Sequence, residues 1–382
     1  MNYRLTCLTP VLIGDGQKLS PVDYMVWKDQ VSVLDQRRIF RLLAKGPRLE
    51  NYLAQIKRAE RLEFASWGGF AQSYAGRRIP FESAACARYW EQARGDSLHI
   101  PTFASGPSGP YLPASALKGA LHTAMLAASM DRSVLDAVAA QFDADRPPRR
   151  PADVAEERTM GLPGASRMRW FRLSDSKPIS PSCLKIYLLR VATVVLRGGK
   201  PELGWKISPR GAAEGNRPEE ATPWFAEMAV PGTVFEGRWR EDEFLRSPEV
   251  ARALRWDQPP NRAAILGAAN GLAARLLALH RTYAESLGLD GVAASLRELE
   301  QKLAACRNRD DACLLTLGWG AGLLAKIAWT DTSDETYRRI LRRSSGYASA
   351  PSSALPFPKT RRIVFVNDRP AALPGWALLE LS

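Results

Sequence analysis

Residues 111–123 read Tyr111-Leu112-Pro113-Ala114-Ser115-Ala116-Leu117-Lys118-Gly119-Ala120-Leu121-His122-Thr123. A proline-bearing turn feeds a helix. Leu117, Leu121, Met125 and Ala128 recur at helical spacing, with Ala120 and Ala124 beside them, which predicts a helix over 115–129. Ser115 is placed to cap it. A helix N-terminus presents unpaired N–H groups and a partial positive charge, both suited to phosphate. Ser115, Lys118 and His122 fall roughly along one stripe beside the apolar one. Gly119 permits close approach of another backbone. Taken alone, the same residues describe a capped amphipathic helix with a solvated lysine equally well.

Outward from this helix the pattern alternates between strands and helices. Upstream, residues 3–8 read as a short strand, and 24–27 with 31–34 as a hairpin through Lys28-Asp29-Gln30. From 36 to about 62 the pattern is helical and basic, and 77–94 carries a second helical stretch. Residues 64–81 fit neither period, and 102–113 is a Gly- and Pro-punctuated loop. Downstream, 143–167 is charged and proline-bearing, including Arg-Pro-Pro-Arg-Arg-Pro at 146–151, and predicts an exposed or disordered linker or insertion. Residues 170–173, 185–196 and 233–239 read as strands, with 198–223 a long polar loop. A helical hairpin spans 263–287 and 291–305, turning at Asp290-Gly291. A strand at 313–317, a glycine-rich loop, a short helix, a loop at 344–360 and a final strand at 363–366 complete the chain. Strands interspersed with helices predict an α+β fold, not a doubly wound sheet.

Three further segments carry chemistry. Leu317-Gly318-Trp319-Gly320-Ala321-Gly322-Leu323-Leu324-Ala325-Lys326 places glycines at alternate positions, able to turn sharply and expose backbone amides to an anion. It matches neither a dinucleotide fingerprint nor a Walker A loop. It also serves as a tight strand-to-helix connection, and the two roles are compatible. Leu8-Thr9-Pro10-Val11-Leu12-Ile13-Gly14-Asp15-Gly16 is a strand running into a glycine turn, with Lys18 just beyond. Pro356-Phe357-Pro358-Lys359-Thr360-Arg361-Arg362 sets basic residues beside an aromatic, as in grooves that track a nucleic-acid strand, or in an ordinary solvated loop.

The whole-chain numbers set bounds. A length of 382 residues suggests two or three domains, and 46% hydrophobic and 24% charged residues describe a globular chain. Lys and Arg number 53 against 40 Asp and Glu, a formal charge of +13. Such an excess favours phosphate-rich partners, although an acidic protein or an anionic membrane satisfies it too. Five scattered cysteines without a CxxC argue against a disulfide framework or a zinc ribbon. With no signal-peptide pattern and no apolar run of membrane-spanning length, the expectation is a cytoplasmic protein with no membrane partner.

In their order along the chain these segments resemble the RAMP superfamily of CRISPR proteins. The likeness is closest to the subunits that cap the guide RNA 3′ end in type III-A Csm effector complexes. It is carried by residues 8–16, by 111–125, by Phe171-Arg172-Leu173-Ser174-Asp175-Ser176, by Val230-Pro231-Gly232-Thr233-Val234-Phe235, by 317–326 and by 357–362. The resemblance implies two ferredoxin-like (RRM-like) domains with helical and loop insertions. They are expected at 1–165, with a helical insertion over about 36–98, and at 166–382, with the helical hairpin over about 263–305 and the glycine-rich loop. It implies crRNA as the ligand, held through shape and phosphates. It also implies the repeated backbone subunit and the small subunit as neighbours, target RNA nearby, and a part in crRNA maturation in which host nucleases are recruited. The RNA-contact candidates are then Gly14, Lys18, Ser115, Lys118, Gly119, His122, Gly318, Gly320, Gly322, Lys326, Lys359, Arg361 and Arg362. Two positions depart from the family pattern: Ala114 stands where glycine is usual, and His122 where arginine is frequent.

A catalytic role finds little support in the residues. His99, His122 and His280 are far apart in sequence and form no metal-binding spacing, so no metal, cofactor or catalytic residue is expected. Asp23 and Asp175 read as caps or turn residues. Two alternatives remain open: a guide-processing endoribonuclease of the same superfamily, for which Tyr111, Lys118 and His122 are the candidates, and a basic protein-interaction module.

Overall fold

Tyr3, Leu5 and Cys7 alternate with Asn2, Arg4 and Thr6, giving strand Asn2–Cys7 one buried face. The computed structural model describes residues 1–44, 48–58, 73–146, 148–208, 214–256, 261–344, 346–347 and 356–382. In it, this strand is the centre of a five-stranded antiparallel sheet. The order is Ala312–Thr316, Trp376–Leu381, Asn2–Cys7, Val234–Glu241, Phe171–Leu173. Leu5 lies opposite Phe235 on one side and Leu379 on the other. Asn2 and Ser382 exchange main-chain bonds of 2.7 and 3.0 Å. The Tyr3 ring crosses Gly237, where a Cβ would come within 2.5 Å of it, and its hydroxyl donates to the Ser174 carbonyl.

A sheet edge leaves backbone groups that invite another strand, and here helix side chains occupy both edges. On strand Ala312–Thr316, the Asn270 amide donates to the Ala312 carbonyl at 3.1 Å and accepts from the Leu314 N–H at 2.9 Å. On Phe171–Leu173, the Lys118 ammonium donates to the Phe171 carbonyl at 2.9 Å and lies over the Phe171 ring.

The second sheet has six strands built around Leu184–Arg197, ten of whose 14 residues are buried. Its first half pairs with Trp224–Ala229 and its second with Lys200–Lys206, while Thr360–Val366 runs along its other side. Gly198 and Gly199, both at positive φ, make the two-residue turn into Lys200–Lys206. Arg190 is buried between the rings of Tyr89 and Phe365. A three-stranded sheet of Tyr24–Trp27, Gln30–Leu34 and Ala75–Pro80 joins the body through buried Glu227, which accepts from Arg77 at 2.7 Å and from the Phe103 N–H at 3.1 Å.

Helix Ala114–Ser129 packs against Arg262–Ser286, which also packs on Asp290–Cys306 and on strand Ala312–Thr316. At 25 residues Arg262–Ser286 reaches membrane-spanning length and apolarity, contrary to the sequence expectation. Its Ile265, Leu266, Leu272, Leu276 and Leu277 are buried inside the protein.

The α+β class, the first hairpin, the helix over 115–129, the helical hairpin and the strand over 185–196 appear as the sequence predicts. Other expectations are corrected. The stretch 143–167 is not a free linker: Asp153–Met160 is a helix that buries Ala155, Thr159 and Met160. A preceding helix, Arg132–Asp143, follows an Asp131 cap. The polar loop over 198–223 contains strand Lys200–Lys206, and strand Trp224–Ala229 borders it. The strand at 363–366 is not the last, because Arg369–Ala372 and Trp376–Leu381 follow it. The expected insertion over 36–98 contains strand Ala75–Pro80 among its helices. Strands from before and after residue 165 share the first sheet, Asn2–Cys7 lying between Trp376–Leu381 and Val234–Glu241. Residues 45–47 and 59–62 of the expected helical stretch, 64–72, Pro147, and the loop expectations at 209–213, 345 and 348–355 lie outside the described residues.

Asn270 sets a quantitative expectation. Asn270→Ala removes both of its bonds to the edge strand and leaves two backbone groups without protein partners, a loss of about 1–3 kcal/mol. Urea unfolding of the variant checks this, and a midpoint equal to that of the parent would show that the edge bonds add nothing to stability.

Candidate nucleic-acid interface

The glycine loop leaves strand Ala312–Thr316 at Leu317, whose N–H donates to the Gly375 carbonyl at 2.9 Å. Its glycines meet different needs. Gly318, at φ +87°, lies so close to the N-terminal connector that a Cβ would stand 2.3 Å from the Leu12 carbonyl oxygen. The next residue, Trp319, donates its N–H to that same oxygen at 2.8 Å. Gly320, at φ +92°, passes against Pro374, while Gly322, at φ +86°, faces open space. All three occupy the left-handed region that side chains disfavour. The N–H groups of Gly320, Ala321 and Gly322 donate to no described group.

Those three residues form one wall of a cleft of about 630 Å³, and the Pro356–Arg362 stretch (356–362) forms another. Two segments that the sequence singles out separately thus meet. Lys206, Trp224, Tyr347 and His280 also line it. Arg361 is held rigidly. Its Nε donates to His280 Nδ1 at 3.0 Å, one terminal nitrogen donates to the carbonyls of Pro358 (2.7 Å) and Thr360 (2.9 Å), and its plane lies over the Tyr283 ring. Burial lowers its pKa to about 10, so it stays charged at neutral pH. Burial, reinforced by the Arg361 charge, holds His280 well below the usual histidine range. The imidazole is therefore neutral, and accepting at Nδ1 places its proton on Nε2.

Arg362 lies over the Trp319 ring at 4.7 Å, and its buried Nε has no partner among the described residues. Burial lowers its pKa as well. Each arginine is thus fixed by an aromatic ring, and neither is matched with a described carboxylate. Lys359 and Lys206 differ: both ammoniums contact the same oxygen, Glu214 Oε1, at 3.3 and 2.9 Å.

The other candidates lie elsewhere. Pro113, not Ser115, is the N-cap of helix Ala114–Ser129, and the Asp175 carboxylate accepts the Ala114 N–H at 2.7 Å. The anion expected at that helix end is supplied by the chain itself, which agrees with Asp175 as a capping residue. Lys118 is half-buried on Phe171, and burial, with Arg172 nearby, lowers its pKa. A Cβ added to Gly119 would meet nothing within 4 Å, so no backbone among the described residues uses the close approach that glycine offers. His122 Nε2 is 2.9 Å from Glu156 Oε2 on the surface. Lys326 is on a turn that packs against helix Ala114–Ser129. Gly14 passes within tight range of the Thr102 carbonyl, and Lys18 is exposed on a two-residue strand paired with Ile100–Pro101. Tyr111, Lys118 and His122 thus have separate partners: the Tyr111 ring lies against Gly106.

A family model described as the RAMP superfamily matches residues 4–260. The chain belongs to the RAMP superfamily. Among solved structures, this RAMP chain is similar over its full length to a full chain of the cryo-EM structure of a Csm–crRNA–target RNA ternary complex in a type III-A CRISPR–Cas system, with 20% identity and a TM-score of 0.68. It is also similar to the crystal structure of T. onnurineus Csm5, with 19% identity and a TM-score of 0.62, over 99% of this chain and 100% of that one. At these identities the likeness is one of fold. No curated protein matches the chain.

Lys206, Trp224 and His280 line the cleft, and Glu214 and Trp319 hold its cations, yet the sequence reading names none of the five as ligands. Trp319 sits inside the glycine motif and is the one such residue with a local signal. The rest reach the cleft through strand pairing or helix packing. His280 gives a prediction. Its unfolded value is near 6.5 and its folded value lies well below. Between those values the unfolded chain binds the extra proton, so this contribution to stability is present above about pH 6.5 and is lost as pH falls below it, by about 1.4 kcal/mol per pH unit. Urea unfolding at pH 7.5 and 5.5 should show this loss in the parent and a smaller one in His280→Asn. Equal losses would assign the acid sensitivity to other groups.

Proposed function

We propose that this RAMP chain is a non-catalytic RNA-binding subunit of a type III-A CRISPR ribonucleoprotein. In this reading it caps the 3′ region of the crRNA and supports guide maturation and assembly in the cytoplasm. One observation carries the reading: backbone N–H groups of the glycine loop that are unpaired among the described residues, two arginines fixed on aromatic rings and the rings of Trp224, Tyr347 and Phe357 converge on a single cleft. Backbone amides and guanidinium groups suit phosphates, and aromatic faces suit unstacked bases of any sequence. The fold shared with chains from a Csm–crRNA–target RNA complex and with Csm5 supports it. Neighbouring Csm-type subunits are the partners, with the target RNA passing nearby.

We also infer two ferredoxin-like units, one around each large sheet, interleaved along the chain. The endoribonuclease alternative is weaker on geometry, since a general acid and base must flank one 2′-OH. His122 pairs with Glu156, whereas His280 is buried and neutral against Arg361.

The test uses the assembled complex. Omitting this subunit should give guide RNA with longer or ragged 3′ ends on sequencing. Normal ends in an intact complex would overturn the capping role. Within the complex, Arg362→Ala should weaken binding to single-stranded RNA with little dependence on sequence and flatten the log–log salt slope by about 0.7, the value for one phosphate contact on a single strand. An unchanged slope would remove Arg362 from the interface.

A further inference from the structure

The two lysines that line the cleft share one counterion. A single carboxylate oxygen, Glu214 Oε1, accepts from Lys206 Nζ at 2.9 Å and Lys359 Nζ at 3.3 Å. The Glu214 and Lys206 side chains are mostly withdrawn from water, at 19% and 16% exposure, while Lys359 is more open at 39%. Burial alone raises the Glu214 carboxyl, yet the two ammoniums outweigh it and hold the group below the ordinary glutamate range. It is therefore ionised at neutral pH.

The position of this carboxylate is built. Glu214 and Gly215 form a two-residue strand in register with Lys206 and Trp205. Glu220 backs that strand: its carboxylate accepts from the Asn216 N–H at 2.8 Å, and a Cβ on Gly215 would come within 2.5 Å of its Oε2. The lysines come from the two sides of strand Leu184–Arg197: Lys206 ends strand Lys200–Lys206, and Lys359 directly precedes strand Thr360–Val366, its carbonyl accepting the Val194 N–H at 3.0 Å. One oxyanion bridging two ammoniums is the arrangement that a non-bridging phosphodiester oxygen makes with a pair of lysines.

We propose that Lys206 and Lys359 form a phosphate-bridging site of the RNA cleft, and that Glu214 is its internal stand-in, displaced when an RNA phosphate enters. This rests on the reading that the cleft takes RNA. Glu214 keeps the two cations in place in the empty cleft. It also sets a threshold, because a small anion must compete with a preorganised carboxylate, whereas an RNA strand brings additional contacts to the glycine loop, the arginines and the aromatic rings. With Glu214 in place the trio has a net charge of +1; without its charge the pair presents +2.

The test measures binding of a fluorescent oligouridylate to the full-length chain by anisotropy across a salt series, with thermal melting of each variant in parallel. Glu214→Gln should bind about fivefold more tightly at low salt, the size of one partly exposed ion pair, with a log–log salt slope steeper by about 0.7. Glu214→Asp keeps the charge and should gain less affinity than Glu214→Gln. In the Lys206→Ala/Lys359→Ala background, Glu214→Gln should give no gain. If the parent binds and Arg362→Ala weakens it, but Glu214→Gln leaves affinity and slope unchanged or binds more weakly, the stand-in role is wrong while the RNA reading survives. If neither the parent nor any variant binds the oligouridylate even at low salt, the RNA reading fails and the stand-in fails with it. Should Glu214→Gln melt well below the parent, Glu214→Ala read against the double-lysine background decides by the same criterion.

Discussion

Six residues between the two large sheets hold the architecture together. In the connector over 8–13, the N–H groups of Leu8 and Thr9 both donate to the Trp376 carbonyl, and Gly375 donates to Pro10. Val11 exchanges two bonds with Ala229 of the second sheet, at 3.1 and 2.7 Å, and Ile13 accepts from Ala104. Leu12 receives the Trp319 N–H of the glycine loop. Val11, Leu12 and Ile13 are buried, so these are bonds that water cannot readily replace. The loop that lines the cleft is thus aligned by the same short segment that joins the sheets. That is why Gly318 admits no side chain: its Cβ would occupy the space of the Leu12 oxygen.

The fold is legible in the sequence wherever the decisive interactions are local. The hairpin at Lys28-Asp29, the helix over 115–129 and the helical hairpin at Asp290 each carry their period and their turn chemistry within a few residues. Strand Trp376–Leu381 shows the opposite case. Its Ala-Leu-Leu-Glu-Leu run has strong helix propensity, and pairing with Asn2–Cys7 and Ala312–Thr316 overrides it. Lys200–Lys206 hides behind a Pro and charged residues, though Gly198-Gly199 is a hairpin signal.

The candidate site divides in the same way. The glycine loop and the Phe-Pro-Lys-Thr-Arg-Arg stretch carry their character in composition, and the fold brings them to one cleft. Lys118 shows what spacing cannot reveal. Its place on a helix stripe says nothing of the Phe171 carbonyl that lies opposite, and with Asn270 at the far side it closes the first sheet against further strands. Asp175, more than 50 residues along the chain, fills the helix terminus that spacing alone assigns to Ser115. His280 is a mid-helix residue without a motif, and only tertiary packing sets it beneath Arg361.

The placement of strand Asn2–Cys7 bears on how the chain is made. Its nearest partner in sequence, Val234–Glu241, follows it by more than 200 residues, and its other partner, Trp376–Leu381, later still. During translation this apolar-faced strand therefore leaves the ribosome with both of its hydrogen-bonding edges open. The first sheet therefore has a high contact order and closes only once Trp376–Leu381 has been made, which leaves Asn2–Cys7 unpaired over the whole intervening stretch of synthesis.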